Sequence, residues 1–183
     1  WAFAIYDAQE KTIFCSRDRF GVKPFYYCQL GDIFVFGSEM KQFTVLPGWQ
    51  AKLNVDIAYD FIAYGRLNHS VHTFFQGVEQ LQGGHNLFYS LKSHTFTITK
   101  WYDLTAAKQQ VLSFAEAEKK FLELFESSLK LRLRSDVKVG SCLSGGLDSS
   151  SIVCMLKKIM QEQGLAALQQ ETVSSCFEIA KFD

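Results

Sequence analysis

Two prolines in 183 residues, no excess of either charge and no long apolar run set the first limits on this chain. So little proline, together with 15% aromatic and 48% hydrophobic residues, excludes a low-complexity chain and leaves ample material for a packed core. Nineteen Lys and Arg balance nineteen Asp and Glu, so bulk electrostatics points to neither nucleic acid nor membrane. No stretch is apolar over the length a bilayer demands, and no basic-then-apolar signal leads the chain. The five cysteines, Cys15, Cys28, Cys142, Cys154 and Cys176, form no C-x-x-C pair and have no histidine at metal-ligand spacing. Scattered singly on apolar segments, they read as reduced core thiols of a cytoplasmic protein. No methionine precedes Trp1, which already stands inside an apolar run. The expectation is a natural N-terminus upstream.

What is present divides into two styles. The first third predicts antiparallel strands: WAFAIYD and TIFCSRD flank the polar turn AQEK, and FYYCQ and IFVFGSE flank a turn at Gly31-Asp32. Aromatic residues on both faces predict a sheet covered on both sides. SEMKQFTVLPG predicts a short helix with Ser38 as N-cap and Pro47-Gly48 as its stop. NVDIAYDFIAYG predicts a second helix with Ile57, Phe61, Ile62 and Tyr64 on its apolar side, ended by Gly65. GGHNLFYSL and TFTITKWYDL return to strands.

After Leu104 the pattern changes. Residues 105–112 predict a linker, separating a first domain over 1–104 from a second over 113–183. Ser113 and Glu116 form a capping box opening a helix to about Arg134, with Phe121, Leu122, Phe125, Leu129 and Leu133 facing a core. KVGSCLS then predicts a strand, SSIVCMLKKIMQEQ a helix closed by Gly164, and ETVSSCF another strand. Helix, strand, turn, helix, strand is the opening of a parallel α/β sheet.

The turn in that unit, SGGLDSS over Ser144–Ser150, carries the chemistry. A strand that turns at once into a helix aims the unpaired N–H groups of the first helical turn at one point, where the helix dipole adds positive charge. Gly145 and Gly146 offer backbone angles closed to other residues and let an anion reach the main chain. Ser144, Ser149 and Ser150 add hydroxyl donors. Such a pocket suits phosphate oxygens. It is neither G-x-x-x-x-G-K-S/T, which needs a lysine, nor G-x-G-x-x-G. Asp148 is informative, because a carboxylate beside phosphates is repulsive unless a cation such as Mg2+ lies between them. An ordinary turn with an N-cap is the alternative reading of the same residues.

In that context VGSCLSGGLDSSSI resembles the PP-loop of ATP pyrophosphatases, and within them most resembles the glutamine-dependent asparagine synthetases. RDRFGVKPFYY (17–27), FGSEMKQF (36–43) and GVEQLQGGHNLFYS (77–90) resemble, in order, three stretches of that family's class II glutaminase domain. The resemblance implies an α+β N-terminal-nucleophile hydrolase-like domain, αββα and partial here, followed by the start of an α/β parallel-sheet, Rossmann-like PP-loop domain. It implies hydrolysis of glutamine by an N-terminal cysteine upstream of Trp1, so that no catalytic nucleophile lies in this chain and the chain alone is inactive. It implies ATP, Mg2+, glutamine and aspartate as the small-molecule partners, and is compatible with a homodimer. Leu143, Ser144, Gly145, Gly146, Leu147, Asp148, Ser149 and Ser150 match its nucleotide and pyrophosphate positions, Asp148 its magnesium ligand, and Ser175 a second nucleotide contact. Arg17, Asp18 and Gly21 read better as a structural ion pair and turn, and Glu39 as a helix-start carboxylate. Gln82-Gly83 and Gly37 depart from the family's usual proline pair and alanine. A relative closing a β-lactam or peptide ring, and a non-catalytic glutaminase-like binding module, are the alternatives.

Overall fold

The structure is a computed structural model that describes residues 1–162 and 170–176. The expected helix closure at Gly164 and the strand end at Phe177 lie outside the described residues. The chain divides into two compact units, Trp1–Lys108 and Gln109–Asp183.

The first unit holds two antiparallel sheets. One has the order β1-β2-β6-β7, from β1 (Ala2–Asp7), β2 (Thr12–Arg17), β6 (His85–Ser90) and β7 (Thr95–Lys100). The other has the order β4-β3-β5, from β3 (Tyr26–Leu30), β4 (Ile33–Gly37) and β5 (Val78–Gln80). Pleating sends alternate side chains to one side, and the inward set from both sheets makes one core of Cys15, Phe25, Tyr27, Leu81, Leu87 and Tyr89. Ring contacts cross it, with Phe34 stacked on Tyr89 at 4.4 Å and Tyr27 edge-on to Phe96 at 5.5 Å. The three-residue strand β5 carries no alternating pattern of its own and escapes a reading by periodicity.

Coverage of the sheets is unequal. The outer face of the β4-β3-β5 sheet packs Cys28 and Val78 against Phe43, with Met40, Leu46, Trp49 and Phe75 around them. The outer face of the other sheet is open: Phe3, Ile5 and Phe88 are exposed. The expectation of a sheet covered on both sides therefore holds for one sheet only, because aromatic content marks an apolar face without saying what lies on it. The Met40–Val45 segment is a 3-10 turn capped by Glu39, not Ser38; the Glu39 N–H donates to Gln42 Oε1 at 3.2 Å. It ends at Leu46, before Pro47. Helix α1 (Val55–Tyr64) starts where expected, with Asn54 Oδ1 accepting the Ile57 N–H, and ends at Gly65. Of its predicted apolar stripe only Ile57 is buried, while Ile62 is 83% exposed.

The β2–β3 loop is a polar knot, and it is not the expected ion pair. Arg17 donates to the carbonyls of Lys23, Gly21 and Leu81. Asp18 is buried and accepts N–H groups from Phe20, Val22 and Lys23, with the Trp1 amino group at 3.3 Å. Each charge satisfies backbone dipoles that the loop leaves unpaired. Burial alone would raise the Asp18 carboxyl; the backbone donors of Lys23, Val22 and Phe20 oppose it, and the group is held well below the usual carboxylate range. A depressed carboxyl stabilises the fold fully above the ordinary value of about 3.9 and less as pH falls below it. Asp18→Asn should cost about 2–3 kcal/mol at pH 7. The gap between parent and variant should narrow by about 1 kcal/mol at pH 3. Denaturant titrations at both pH values check this, and a pH-independent gap would refute the charge argument.

The second unit has helices α2 (Phe114–Arg132) and α3 (Leu147–Glu162) and strands β8 (Gly140–Cys142) and β9 (Glu171–Val173). Helix α2 opens on the expected capping box: the Glu116 N–H donates to Ser113 Oγ and the Ser113 N–H to Glu116 Oε2. Its predicted apolar side is only half used. Phe125, Leu129 and Leu133 pack on Ile152, Met155, Leu156 and Ile159 of α3, but Phe121 and Leu122 are exposed. The strands pair in parallel, Gly140 to Glu171 through Cys142 to Val173. The cysteines also divide. Cys15 and Cys28 are buried, and desolvation pushes the Cys15 thiol up to about 12. Cys142, Cys154 and Cys176 are exposed, contrary to the core reading; all five are unpaired.

Candidate phosphate-binding site

Strand β8 is three residues long, and its ladder continues one step through the Leu143 N–H to the Val173 carbonyl at 2.9 Å. The chain then turns within Ser144, Gly145 and Gly146 and enters α3. Gly145 has φ +78°, the left-handed region that L side chains rarely adopt. Gly146 does not, so the expectation that both glycines serve unusual backbone angles is corrected: only Gly145 needs its freedom. At Gly146 an added Cβ would stand 3.5 Å from Ser144 Oγ, an ordinary contact.

The Ser150 N–H donates to the Gly146 carbonyl at 3.0 Å, the first bond of α3. Gly146 is thus the N-cap, and the N–H groups of Leu147, Asp148 and Ser149 have no protein acceptor among the described residues. They open at the carboxyl end of a parallel strand, where α/β folds bind ligands. Serines brace the turn. The Ser144 N–H and hydroxyl meet Ser149 Oγ at 3.3 and 3.1 Å, and the Ser149 hydroxyl donates to the Gly146 carbonyl at 3.1 Å. Ser149 thereby gives the Ser144 N–H an oxygen partner of the kind a phosphate would supply.

Leu143 is half-buried at the strand end; Leu147 and Asp148 are exposed on the first helical turn, and Ser150 is half-buried. As a first-turn carboxylate Asp148 also stabilises α3 by itself, worth about 0.3–1 kcal/mol. Among the described residues no group of three His, Cys, Asp or Glu converges to enclose a metal. Ser175 is exposed two residues beyond β9. Its neighbour Ser174, which the sequence reading passed over, donates its hydroxyl to the Leu143 carbonyl at 2.7 Å and clasps the two strand ends. Parallel register could have found it, since Cys142 pairs with Val173 and the next pair is Leu143 with Ser174.

In the first unit a cleft of about 380 Å³ opens between β1 and β4, lined by Ala2, Ala4, Phe25, Gly37, Ser38 and Gln42 among others. A Cβ on Gly37 would collide with Gln42 Oε1, so glycine and the reaching glutamine belong together. Glu39, the cap of its turn, pairs with Lys41 at 2.6 Å.

Comparison with known proteins settles the family. Residues 1–102 match the glutamine amidotransferase domain and residues 120–183 the asparagine synthase family. The chain belongs to the glutamine-hydrolysing asparagine synthetase family. It is 35% identical over 164 residues to a provisionally named asparagine synthetase 2 of Methanocaldococcus jannaschii, covering 86% of this chain and 31% of that protein. It is 30% identical over 173 residues to asparagine synthetase 3 of Bacillus subtilis, covering 94% and 28%. It is 28% identical over 196 residues to amidase chyE of Penicillium rubens, covering 100% and 27%. This asparagine synthetase-family chain thus spans less than a third of the length of these relatives. No described helix is long and apolar enough to cross a membrane.

Proposed function

We propose that the protein bearing this chain is an ATP-dependent amide-forming ligase that makes asparagine from aspartate with glutamine as nitrogen source. The observation that carries the reading is the Ser144–Ser150 turn, with its unpaired N–H groups at the carboxyl end of a parallel strand. The first unit is read as part of a glutaminase domain of N-terminal-nucleophile fold, with domain limits at 1–104 and 113–183 around a linker at 105–112. Five unpaired thiols fit a reducing compartment such as the cytoplasm.

In this reading a carboxylate oxygen of aspartate attacks the α-phosphorus of ATP. The bond to the β-phosphate breaks and pyrophosphate leaves with the electron pair. Ammonia then attacks the acyl carbon and AMP departs, as the nitrogen loses a proton. The loop acts on the first step. The N–H groups of Leu147, Asp148 and Ser149 point where negative charge grows on the leaving pyrophosphate, and preorganised donors of this kind need no rearrangement as the charge develops. Ser149 turns its hydroxyl from the Gly146 carbonyl to a phosphate oxygen, and as its oxygen moves the Ser144 N–H is freed as a further donor. Gly145 and Gly146 keep the approach to the main chain free of side chains, and Leu143 and Ser175 flank the nucleotide. Asp148 would supply a carboxylate oxygen for Mg2+, which when bound would neutralise negative charge on the leaving pyrophosphate.

Asp148→Asn in the full-length protein should raise the magnesium concentration for half-maximal pyrophosphate release about tenfold or more, since a neutral oxygen replaces a charged ligand. Glutamine hydrolysis should be unchanged. An unaltered magnesium requirement would remove Asp148 from the site.

A second reading concerns the acceptor. Relatives named amidases align over most or all of this chain. The loop activates any carboxylate that reaches ATP, so a different acid could take the place of aspartate. Pyrophosphate release measured over a panel of carboxylic acids distinguishes the two.

A further inference from the structure

Arg19 follows the buried Asp18 but is itself exposed, and it forms no ion pair with a carboxylate among the described residues. Its guanidinium instead sits over three rings, 5.9 Å from the centroid of Trp1 and 5.5 Å from those of Trp101 and Tyr102. Trp1 and Trp101 stack at 5.9 Å with planes 20° apart, and Phe20 meets Tyr102 edge-on at 5.8 Å. Trp1 and Trp101 remain substantially exposed, so burial alone does not explain why they gather.

The location gives the cluster a use. Trp101 and Tyr102 are the first residues after β7, where the chain leaves the sheet for the segment joining the two units. Their N–H groups both donate to the Gly84 carbonyl, at 2.8 and 3.2 Å. Just beyond, Asp103 pairs with Lys100 at 2.7 Å and accepts from the Thr105 N–H and hydroxyl, capping the Leu104–Ala106 turn. Rings, backbone and ion pair thus fasten one short stretch from three directions.

We propose that Arg19 is a pin that clasps Trp1, Trp101 and Tyr102 into one cluster and so fixes the point at which the joining segment leaves the first unit. The segment joining the units then departs from the first unit at Ala107, the C-cap of the Leu104–Ala106 turn. Planarity suits Arg to this task, since a guanidinium lies flat on several ring faces where an ammonium cannot.

The test is limited trypsin digestion of this chain, comparing cleavage after Lys100 with cleavage after Lys108, which lies in the joining segment. In the parent the first cut should follow Lys108. With Arg19→Ala the rate at Lys100 relative to Lys108 should rise about five- to thirty-fold, as several weak cation–ring contacts are lost and local opening becomes commoner. The circular-dichroism couplet of the stacked Trp1–Trp101 pair should vanish in the same variant, and Arg19→Lys should fall between. An unchanged cleavage ratio with the couplet lost would overturn the pin, as would a parent without the couplet. If Arg19→Ala is cut at Lys11 and Lys100 together, Arg19→Met, which keeps the side-chain stem, decides. Simultaneous cutting there as well would assign Arg19 to the fold as a whole and overturn the proposal.

Discussion

Gly83→Ala is expected to lower the melting temperature of the first unit by about 13 °C, corresponding to about 3 kcal/mol. The cause is backbone, not side chain. A Cβ on Gly83 would lie 2.6 Å from the Gly21 nitrogen, 2.9 Å from the Phe20 carbonyl carbon and 3.0 Å from the Arg19 carbonyl oxygen. None of these can rotate away. All belong to the loop that Asp18 ties down through three N–H groups, so making room means unpicking a buried carboxylate's bonds. Gly31→Ala is the control: φ there is +58° but nothing lies within 4 Å, so backbone strain of about 1–2 kcal/mol is the whole expected cost. Thermal melts of the two variants separate close approach from strain. A Gly83→Ala melt within 2–3 °C of the parent would mean that the β2–β3 loop and the Gln82–Gly84 turn do not touch as described.

The second large effect is on the loop. Gly145→Val in the full-length protein should reduce ATP-dependent pyrophosphate release by about 10²–10³-fold, the range seen when one preorganised donor is removed from a site of developing charge. Glutamine hydrolysis should stay within about twofold, because the loop belongs to a different unit. At φ +78° a β-branched residue is strongly disfavoured, so the turn would flip and re-aim the N–H groups beside it. Gly145→Asn distinguishes backbone from obstruction. Asparagine tolerates left-handed angles, and nothing lies within 4 Å of the added Cβ, so this variant should retain far more activity. Equal loss in both would mean that the side chain blocks the ligand, and full activity in both would remove the phosphate reading.

Much of this was legible in the residues themselves, where the deciding forces are local. The AQEK and Gly31-Asp32 turns, the Ser113 cap, the Gly65 stop and the strand–turn–helix at Ser144–Ser150 depend on neighbours within about four positions in the chain, and each stands where the pattern puts it. The seven residues of the loop could be singled out for the same reason, since a helix's first turn creates its own donors. Contacts between distant segments were not legible. That Arg17 donates to the Leu81 carbonyl depends on a segment 64 positions away arriving beside it. That Ser174 closes the strand pair depends on parallel register. That Gly145 and not Gly146 carries the left-handed angle depends on how the turn meets α3. An apolar stripe announces that a face is fit to be covered, as on α1 and the outer side of β1, but not that anything covers it. Local steric and hydrogen-bonding preferences are written in short stretches of sequence, whereas which surfaces meet is decided by the whole chain at once, when burial of one face competes with burial of every other.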